Sequence, residues 1–241
     1  MIEKIFGAET WFNIIGTGDK WLVFLHGWGT NSNCFSEYVN TFKDDFKILL
    51  IDFPPFGKSK EPTEPWTLNA YVEMVKKIFD KCYVDNPTIV AHSFGGRVAI
   101  LLASRYNNIH KLVLFGSAGL KPKFDFKVFA KKCVSKICHF FKIKSPKWLG
   151  SADYKVLSQV MKKTFSSVVL THLDGNCKLV TCPTLLIWGQ KDDATPLEMG
   201  KRMNKLISSS GLFVIKNAGH FAFITHSQIF INALKCFVSK D

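Results

Sequence analysis

The segment AHSFGG at residues 91–96 stands between an apolar, β-branched run and a stretch with helical spacing. This context predicts a sharp turn from a strand into a helix, with Ser93 at its tip. A serine hydroxyl becomes an effective nucleophile when it is held exposed, next to a base and near donors for an oxyanion. Such a turn brings the residues two before and two after the serine close together, so only small side chains fit there. Ala91 and Gly95 satisfy this requirement.

Ala91 also weakens the motif, because the usual pattern at such a turn is G-x-S-x-G. The alanine adds one methyl group where glycine is commonest. An ordinary strand end, followed by a serine that caps a helix, explains the same residues. The assignment of Ser93 as a nucleophile therefore depends on the rest of the chain.

The 241-residue chain is 47% hydrophobic and 14% aromatic, which suffices for one large α/β domain with a substantial core. Short apolar runs alternate with longer amphipathic stretches, which is the pattern of a mostly parallel, doubly wound sheet covered by helices on both faces. The predicted strands are 10–15, 21–25, 47–51, 88–91, 111–115, 184–188 and 212–215, and the predicted helices are 68–82, 96–106, 196–207 and 224–239.

The alternation stops after the fifth predicted strand, and a short helical cap is predicted as an insertion at about residues 118–180. Apolar residues that include Phe126 and Phe129 recur there at helical spacing, with lysines between them. The stretch 121–147 holds nine lysines and a single acid, and so most of the formal net charge of +13. We expect its apolar stripe to pack over the domain and its lysines to face water. Binding to an anionic membrane surface or to an acidic carrier protein is the alternative.

The charge does not predict a nucleic-acid partner. The chain has only three arginines, at positions 97, 105 and 202. Bidentate recognition of phosphates and base edges favours arginine over lysine. We therefore expect no nucleic-acid partner.

The seven cysteines predict a reducing compartment, because their number is odd and their spacing forms no disulfide framework. The chain also contains no apolar stretch long enough to span a bilayer and no signal-peptide pattern at its start. We therefore predict a cytoplasmic protein. No compact pair of Cys or His knuckles occurs, so no metal site is predicted.

Three other segments carry polar residues just after predicted strands, at the sheet edge where α/β proteins gather their functional groups. HGWG at 26–29 has glycines that let backbone N–H groups turn into a cavity. Asp192 and Asp193 follow the strand at 184–188, and His220 follows the last strand. His26 and His92 are predicted to be hydrogen-bonded structural supports.

Together these segments resemble the α/β-hydrolase superfamily, and the resemblance covers nearly the whole chain. The matching motifs, in the family's order, are HGWG at 26–29, DFPPFGKS at 52–59, AHSFGG at 91–96, GQKDDATP at 189–196 and NAGH at 217–220. Any one of them is weak evidence. The succession Ser93, Asp192, His220 follows the nucleophile, acid and base order of that superfamily.

The resemblance implies a role for each of these residues. Ser93 would be the nucleophile, His220 the general base and then acid, and an aspartate would hold the imidazole tautomer. Two neighbouring aspartates compete for the last role. The family pattern G-x-x-D-x-x-x-P aligns with Gly189, Asp192 and Pro196, and so favours Asp192.

The resemblance also implies a binding site. The oxyanion donors would be the backbone N–H groups of Trp28 and Phe94. An apolar substrate pocket is expected, with side chains from Trp28, Phe94, Phe126, Phe129 and Phe221. Acyl transfer on a serine needs no metal and no organic cofactor, so none is predicted.

The expected reaction is hydrolysis of a small or medium carboxylic ester through an acyl-enzyme on Ser93. A serine at this turn argues against the dehalogenase and epoxide hydrolase branches, whose chemistry uses an aspartate there. Carbon–carbon bond hydrolases, lactonases and pimeloyl-acyl-carrier-protein methyl ester esterases share the triad, and HGWG resembles the last group. The hypothesis from another class is a non-enzymatic ligand sensor built on this fold.

Overall fold

Eight strands form one sheet in the computed structural model, which describes residues 1–122 and 157–239. The strands are β1 (Ile2–Ile5), β2 (Ala8–Ile15), β3 (Lys20–Leu25), β4 (Phe46–Asp52), β5 (Thr88–His92), β6 (Lys111–Phe115), β7 (Thr184–Gly189) and β8 (Ser210–Ile215). They lie in the order β1-β2-β4-β3-β5-β6-β7-β8. Strand β2 is antiparallel to both of its neighbours, β1 and β4. From β4 to β8 in the order given, every pair of neighbouring strands is parallel.

Helices cover both faces of the sheet. They are α1 (Ser36–Phe42), α2 (Leu68–Cys82), α3 (Phe94–Ala103), α4 (Gln159–Leu170), α5 (Asp174–Cys177), α6 (Leu197–Leu206), α7 (Ala222–Thr225) and α8 (Ser227–Val238). The longest of these, α2, begins after Thr67, whose side chain accepts a hydrogen bond from the N–H of Ala70. It ends at Tyr83 in the left-handed conformation, which is a common way to close a helix.

The central strands are buried on both sides because their apolar side chains alternate between two cores. In β3, Val23 and Leu25 face one core, and Leu22 and Phe24 face the other. All four side chains are fully buried. Such continuous apolar runs are expected for parallel strands that have helices on both faces.

The predicted fold class is confirmed: the protein has a mostly parallel α/β sheet with helices on both sides. Each of the seven predicted strands lies inside an observed strand. The predicted helix at 68–82 has the observed bounds, and the others are displaced at their ends by a few residues. The predicted helix at 224–239 is two helices, α7 and α8, which meet at His226.

Two elements were missed by the sequence prediction. Strand β1 is short and mostly exposed at the edge of the sheet, so its sequence lacks the alternation of a half-buried strand. Helix α1 has seven residues, of which three are buried, and is preceded by a 3₁₀ turn at Ser32–Phe35. Seven residues make about two helical turns, and a periodic pattern cannot be recognised over so short a stretch.

The predicted insertion at 118–180 is described in part. Helices α4 and α5 lie in its second half. Residues 123–156, which include Phe126, Phe129 and most of the lysines, lie outside the described residues. The cap therefore stays a prediction.

Two features are absent from the part of the chain that the structure describes. No helix there is long and apolar enough to cross a membrane. No group of three or more His, Cys, Asp or Glu side chains within residues 1–122 and 157–239 is arranged to hold a metal ion.

Candidate active site

Ser93 lies at a strained turn between β5 and α3. Its backbone has φ +49° and ψ −105°, a conformation that residues with a side chain seldom adopt. Its N–H donates to the carbonyl of Phe115 at 3.2 Å. Its carbonyl accepts from the N–H groups of Gly96 and Ala118, each at 3.1 Å. These hydrogen bonds hold the strained backbone in place and leave the side chain partly exposed.

The glycines after Ser93 are required by close packing. A Cβ atom at Gly95 would lie 2.3 Å from the carbonyl oxygen of Leu25, and one at Gly96 would lie 2.0 Å from Ser117 Oγ. Ala91, by contrast, is fully buried in the core, with Leu25 and Leu114 as its neighbours across the sheet. The methyl group that departs from the usual pattern is thus accommodated.

Asp192 and His220 form a buried hydrogen-bonded pair. The distance between Asp192 Oδ2 and His220 Nδ1 is 2.9 Å, and the two residues are 5% and 9% exposed. The other carboxylate oxygen, Oδ1, accepts from the N–H groups of Ala194 at 2.9 Å and Thr195 at 2.8 Å. Asp193, the competing aspartate, is exposed at the surface. The structure therefore brings Asp192, rather than its neighbour, to the histidine.

Thr195 also belongs to this cluster and was missed by the sequence analysis. Its hydroxyl lies 2.9 Å from Asp192 Oδ2, 2.9 Å from the carbonyl of Gly116 and 3.3 Å from His220 Nδ1. A threonine three residues after an aspartate is typical of a turn in which the two side chains bond to the local backbone. That spacing is the signal that could have identified it.

Ser93 directly follows His92, whose ring lies 4.7 Å from that of His220. Among the described residues, no hydrogen bond joins the Ser93 hydroxyl to His220. Because Asp192 occupies Nδ1, the other ring nitrogen, Nε2, is left for a proton transfer. Hydrogen bonds of catalytic groups are often long in ligand-free enzymes and shorten when substrate binds.

The peptide between Gly27 and Trp28 is fixed in orientation. The Gly27 carbonyl lies 2.8 Å from His26 Nδ1 and accepts from the hydroxyl of Thr30 at 2.8 Å and from its N–H at 3.2 Å. In a planar trans peptide the N–H points away from the carbonyl, so the Trp28 N–H points away from these donors. Within the described chain, neither this N–H nor that of Phe94 has an acceptor. Both N–H groups therefore stay predicted oxyanion donors.

His26 acts in this loop as a neutral support. Its Nε2 accepts from the N–H of Phe53 at 2.8 Å, so the proton is on Nδ1, which donates to Gly27. Burial lowers the pKa of His26 to about 4, so the ring is uncharged at neutral pH. The geometry agrees with the structural role predicted for this residue.

Aromatic rings surround the serine turn. The ring of Trp28 lies 5.4 Å from Phe94, 5.1 Å from Phe56 and 5.2 Å from Phe165. Phe165 is on α4 and was not predicted to line the site, because nothing in its helical pattern shows which helix face meets Trp28. These four rings form the aromatic wall of the candidate site.

Phe221 is placed differently from the other predicted pocket residues. It is 6% exposed and belongs to the second core, away from the aromatic wall. Its ring lies 5.3 Å from His220 and 5.5 Å from His92. Phe126 and Phe129 lie outside the described residues, so their place in the pocket stays a prediction.

A family model described as alpha/beta hydrolase fold matches residues 20–142 and 129–227 of this sequence. The chain belongs to the α/β-hydrolase family. Members of the family with quite different substrates are similar to this α/β-hydrolase at a low level of identity. The sequence comparison thus shows a hydrolase of this family and leaves its substrate open.

Three similarities illustrate that range. This α/β-hydrolase is 26% identical to a pimeloyl-[acyl-carrier protein] methyl ester esterase of Wigglesworthia glossinidia brevipalpis, over 95% of this chain and 97% of that protein. It is 24% identical to a 2-hydroxy-6-oxononadienedioate/2-hydroxy-6-oxononatrienedioate hydrolase of a Pseudomonas species, over 95% and 91%. Its fold is similar to that of an esterase from Exiguobacterium antarcticum, with a TM-score of 0.84 and 21% identity, over 99% of this chain and 98% of that one.

Proposed function

We propose that this α/β-hydrolase is a serine hydrolase that cleaves a small or medium carboxylic ester through an acyl-enzyme intermediate. The observation that carries the proposal is the buried hydrogen bond, 2.9 Å long, between Asp192 and His220. A carboxylate paired with one nitrogen of an imidazole leaves the other nitrogen to act as a base. Ser93, at its strained turn, supplies the nucleophile.

In the first half-reaction, Ser93 Oγ attacks the ester carbonyl carbon and His220 Nε2 takes the hydroxyl proton. The carbonyl oxygen becomes an oxyanion, which accepts hydrogen bonds from the N–H groups of Trp28 and Phe94. The C–O bond to the alcohol then breaks, and His220 returns the proton to the departing alkoxide. The product of this step is an acyl ester on Ser93.

In the second half-reaction, water attacks the acyl carbon and His220 accepts one of its protons. The bond to Ser93 Oγ then breaks, the serine recovers its proton from the imidazolium, and the carboxylic acid leaves. Asp192 stays ionised throughout and stabilises the positive charge that forms on His220. Its acceptor sites are filled by Ala194, Thr195 and His220, which support this role.

The aromatic wall favours a substrate whose acyl group is apolar. The ring of Trp28 contacts those of Phe56, Phe94 and Phe165 edge to face, and Phe94 directly follows Ser93. Such surfaces bind aliphatic and aromatic groups through apolar contact, with few polar groups to set specificity. Phe126 and Phe129 are proposed as further members of this pocket.

The proposal is tested with a series of p-nitrophenyl esters of increasing acyl length. Wild type should release p-nitrophenol with a saturable rate, and Ser93→Ala should lose this activity. Ser208→Ala is the matched control, because Ser208 is exposed in a loop after α6. A fluorophosphonate probe should add to the peptide that contains Ser93 and to no peptide of the Ser93→Ala variant. Equal turnover by wild type and Ser93→Ala would exclude the acyl-enzyme on this residue.

A methyl ester carried by an acyl-carrier protein is the second candidate substrate. The named esterase relative, together with the lysines between 121 and 147, supports it. Hydrolysis of a carrier-bound methyl ester should then weaken in high salt and after charge reversal of these lysines. Rates that do not change would argue against docking of an acidic carrier.

The same assays separate the remaining alternatives. Turnover of a 2-hydroxy-6-oxodienoate, with no turnover of simple esters, would identify a carbon–carbon bond hydrolase, as in the named hydrolase relative. A preference for cyclic esters would identify a lactonase. Binding without turnover of any of these would favour a ligand sensor.

We also propose a cytoplasmic location. Five cysteines within the described residues are free thiols, at positions 34, 82, 177, 182 and 236. Thiols of this kind are typical of a reducing compartment. Imaging of a tagged full-length chain would test the proposal.

A further inference from the structure

His92 is a buried polar residue next to both proposed reacting groups. It ends β5 directly before Ser93 and is 1% exposed. Its ring stacks on Phe115 at 5.0 Å and lies 4.7 Å from the rings of Phe223 and His220. Burial of an imidazole among aromatic rings costs free energy for each polar atom that finds no partner.

One of its nitrogens has a partner in the base itself. His92 Nε2 lies 3.2 Å from the backbone carbonyl oxygen of His220. A carbonyl only accepts, so Nε2 carries the proton and donates it. Burial and the neighbouring His220 lower the pKa of His92 well below its ordinary value, which keeps the ring neutral. Its Nδ1 therefore has no proton.

The other nitrogen has no partner among the described residues. His92 Nδ1 is buried without a hydrogen bond. It faces the HGWG loop so closely that a Cβ atom at Gly27 would lie 2.7 Å from it. An unpaired buried acceptor costs free energy that a phenyl ring in the same place would not. What histidine adds here, compared with phenylalanine, is the hydrogen bond from Nε2.

We infer that His92 is a positioning residue, which holds the main chain of His220 and so fixes the base relative to Ser93. The inference rests on the proposed role of His220. Two partners then fix the base, because Asp192 binds its ring at Nδ1 and His92 binds its carbonyl. Since His92 directly precedes Ser93, one residue connects the nucleophile's strand to the loop of the base.

The neutrality of His92 suits this arrangement. During each half-reaction His220 becomes an imidazolium, whose ring centre lies 4.7 Å from that of His92. A second positive charge at this distance would raise the energy of that state. An uncharged ring donates its hydrogen bond without opposing proton transfer to the base.

Two amide variants at position 92 test the inference with matched chemistry. In His92→Gln, the amide nitrogen reaches the place of Nε2 and can donate to the His220 carbonyl. In His92→Asn, the same amide reaches only the place of Nδ1, beside Gly27. Both bury an amide, so their thermal stabilities should be similar, whereas their activities should differ.

We expect kcat on p-nitrophenyl butyrate to fall about 100-fold in His92→Asn and in His92→Phe, because a displacement of about 1 Å costs that much. His92→Gln should recover most of this loss, and KM should stay nearly constant in all three. Equal kcat values for the Gln and Asn variants would overturn the inference. If Ser93→Ala remained as active as wild type, the proposed function itself would be wrong. That result is distinct from equal kcat values in the Gln and Asn variants, which would overturn only the positioning role of His92.

The wild-type protein offers a direct measurement of the proton on His92 Nε2. In a sample labelled with ¹⁵N-histidine, the His92 signals should report a proton on Nε2 and none on Nδ1. They should not titrate between pH 5 and 8, and His92→Gln assigns them by their disappearance. A proton on Nδ1 would mean that no bond to His220 exists and would refute the positioning role.

Discussion

The Thr195 hydroxyl lies 2.9 Å from Asp192 Oδ2 and 2.9 Å from the carbonyl of Gly116. A hydroxyl has one proton, so it donates to one of these oxygens at a time. The loop after β7 is thereby connected to the end of β6, next to the carboxylate that binds His220. Thr195 is 3% exposed, so water does not replace this hydrogen bond.

Removal of that hydroxyl should weaken the fold at the site. In Thr195→Val the shape is kept, but one of the two buried acceptors loses its donor, and the free energy of unfolding should fall by about 1–3 kcal/mol. We also expect a lower kcat, because Asp192 is less firmly held. Urea unfolding and ester hydrolysis measure the two effects. Thr195→Ser keeps the hydroxyl and should resemble wild type, and a similar loss in both variants would contradict this explanation.

Replacement of the proposed orienting carboxylate should remove most of the activity. Asp192→Asn presents an amide to His220 Nδ1 and favours the wrong imidazole tautomer, which costs about 10⁴-fold in kcat in triads of this type. Asp193→Asn is the matched control, because it makes the same change at the exposed neighbouring position. It should keep wild-type kcat. Similar losses in both variants would show that the assignment of Asp192 is wrong.

The buried His26 should make stability depend on pH. Its folded pKa of about 4 is below the ordinary value of 6.5, so the unfolded chain binds the proton first as the pH falls. The contribution of His26 to the free energy of unfolding is therefore fully present above about pH 6.5. About 3 kcal/mol of it is lost as the pH falls from there to 4. Urea unfolding at several pH values should show a weaker dependence in His26→Asn. If the stability of His26→Asn depended on pH as strongly as that of wild type, His26 would not be a source of the dependence.

Phe165 should affect the choice of acyl chain. Its ring lies 5.2 Å from that of Trp28, and Phe165→Ala would open the aromatic wall on the side of α4. We expect the preferred acyl length to increase and KM for short esters to rise. The p-nitrophenyl ester series measures both. Phe213→Ala is the control on β8, where the ring is 40% exposed, and it should keep the wild-type preference.

The sequence predicted those parts of the site that follow strand ends. Ser93, Asp192 and His220 each follow a strand of the parallel part of the sheet, and parallel strands bring their carboxyl ends to one edge. The choice between Asp192 and Asp193 depended on a family pattern. In the structure, the two differ because only Asp192 points into the turn formed with Ala194 and Thr195.

Other parts of the site depend on contacts between distant segments, which local patterns do not encode. Phe165 and Trp28 are 137 positions apart in the sequence, and their contact is set by how α4 packs. The bond from His92 to the carbonyl of His220 likewise depends on the loop after β8 crossing the end of β5. The burial of Phe221 in the second core likewise depends on the path of that loop.

The three hydrogen bonds that hold the turn at Ser93 all involve main-chain atoms, those of Phe115, Gly96 and Ala118. The bend therefore does not depend on which side chain projects from it. A thiol or a carboxylate at position 93 would occupy the same partly exposed point, next to the N–H of Phe94. If Ser93 is the nucleophile, as we propose, the reacting atom can therefore be exchanged while the surrounding backbone keeps its conformation.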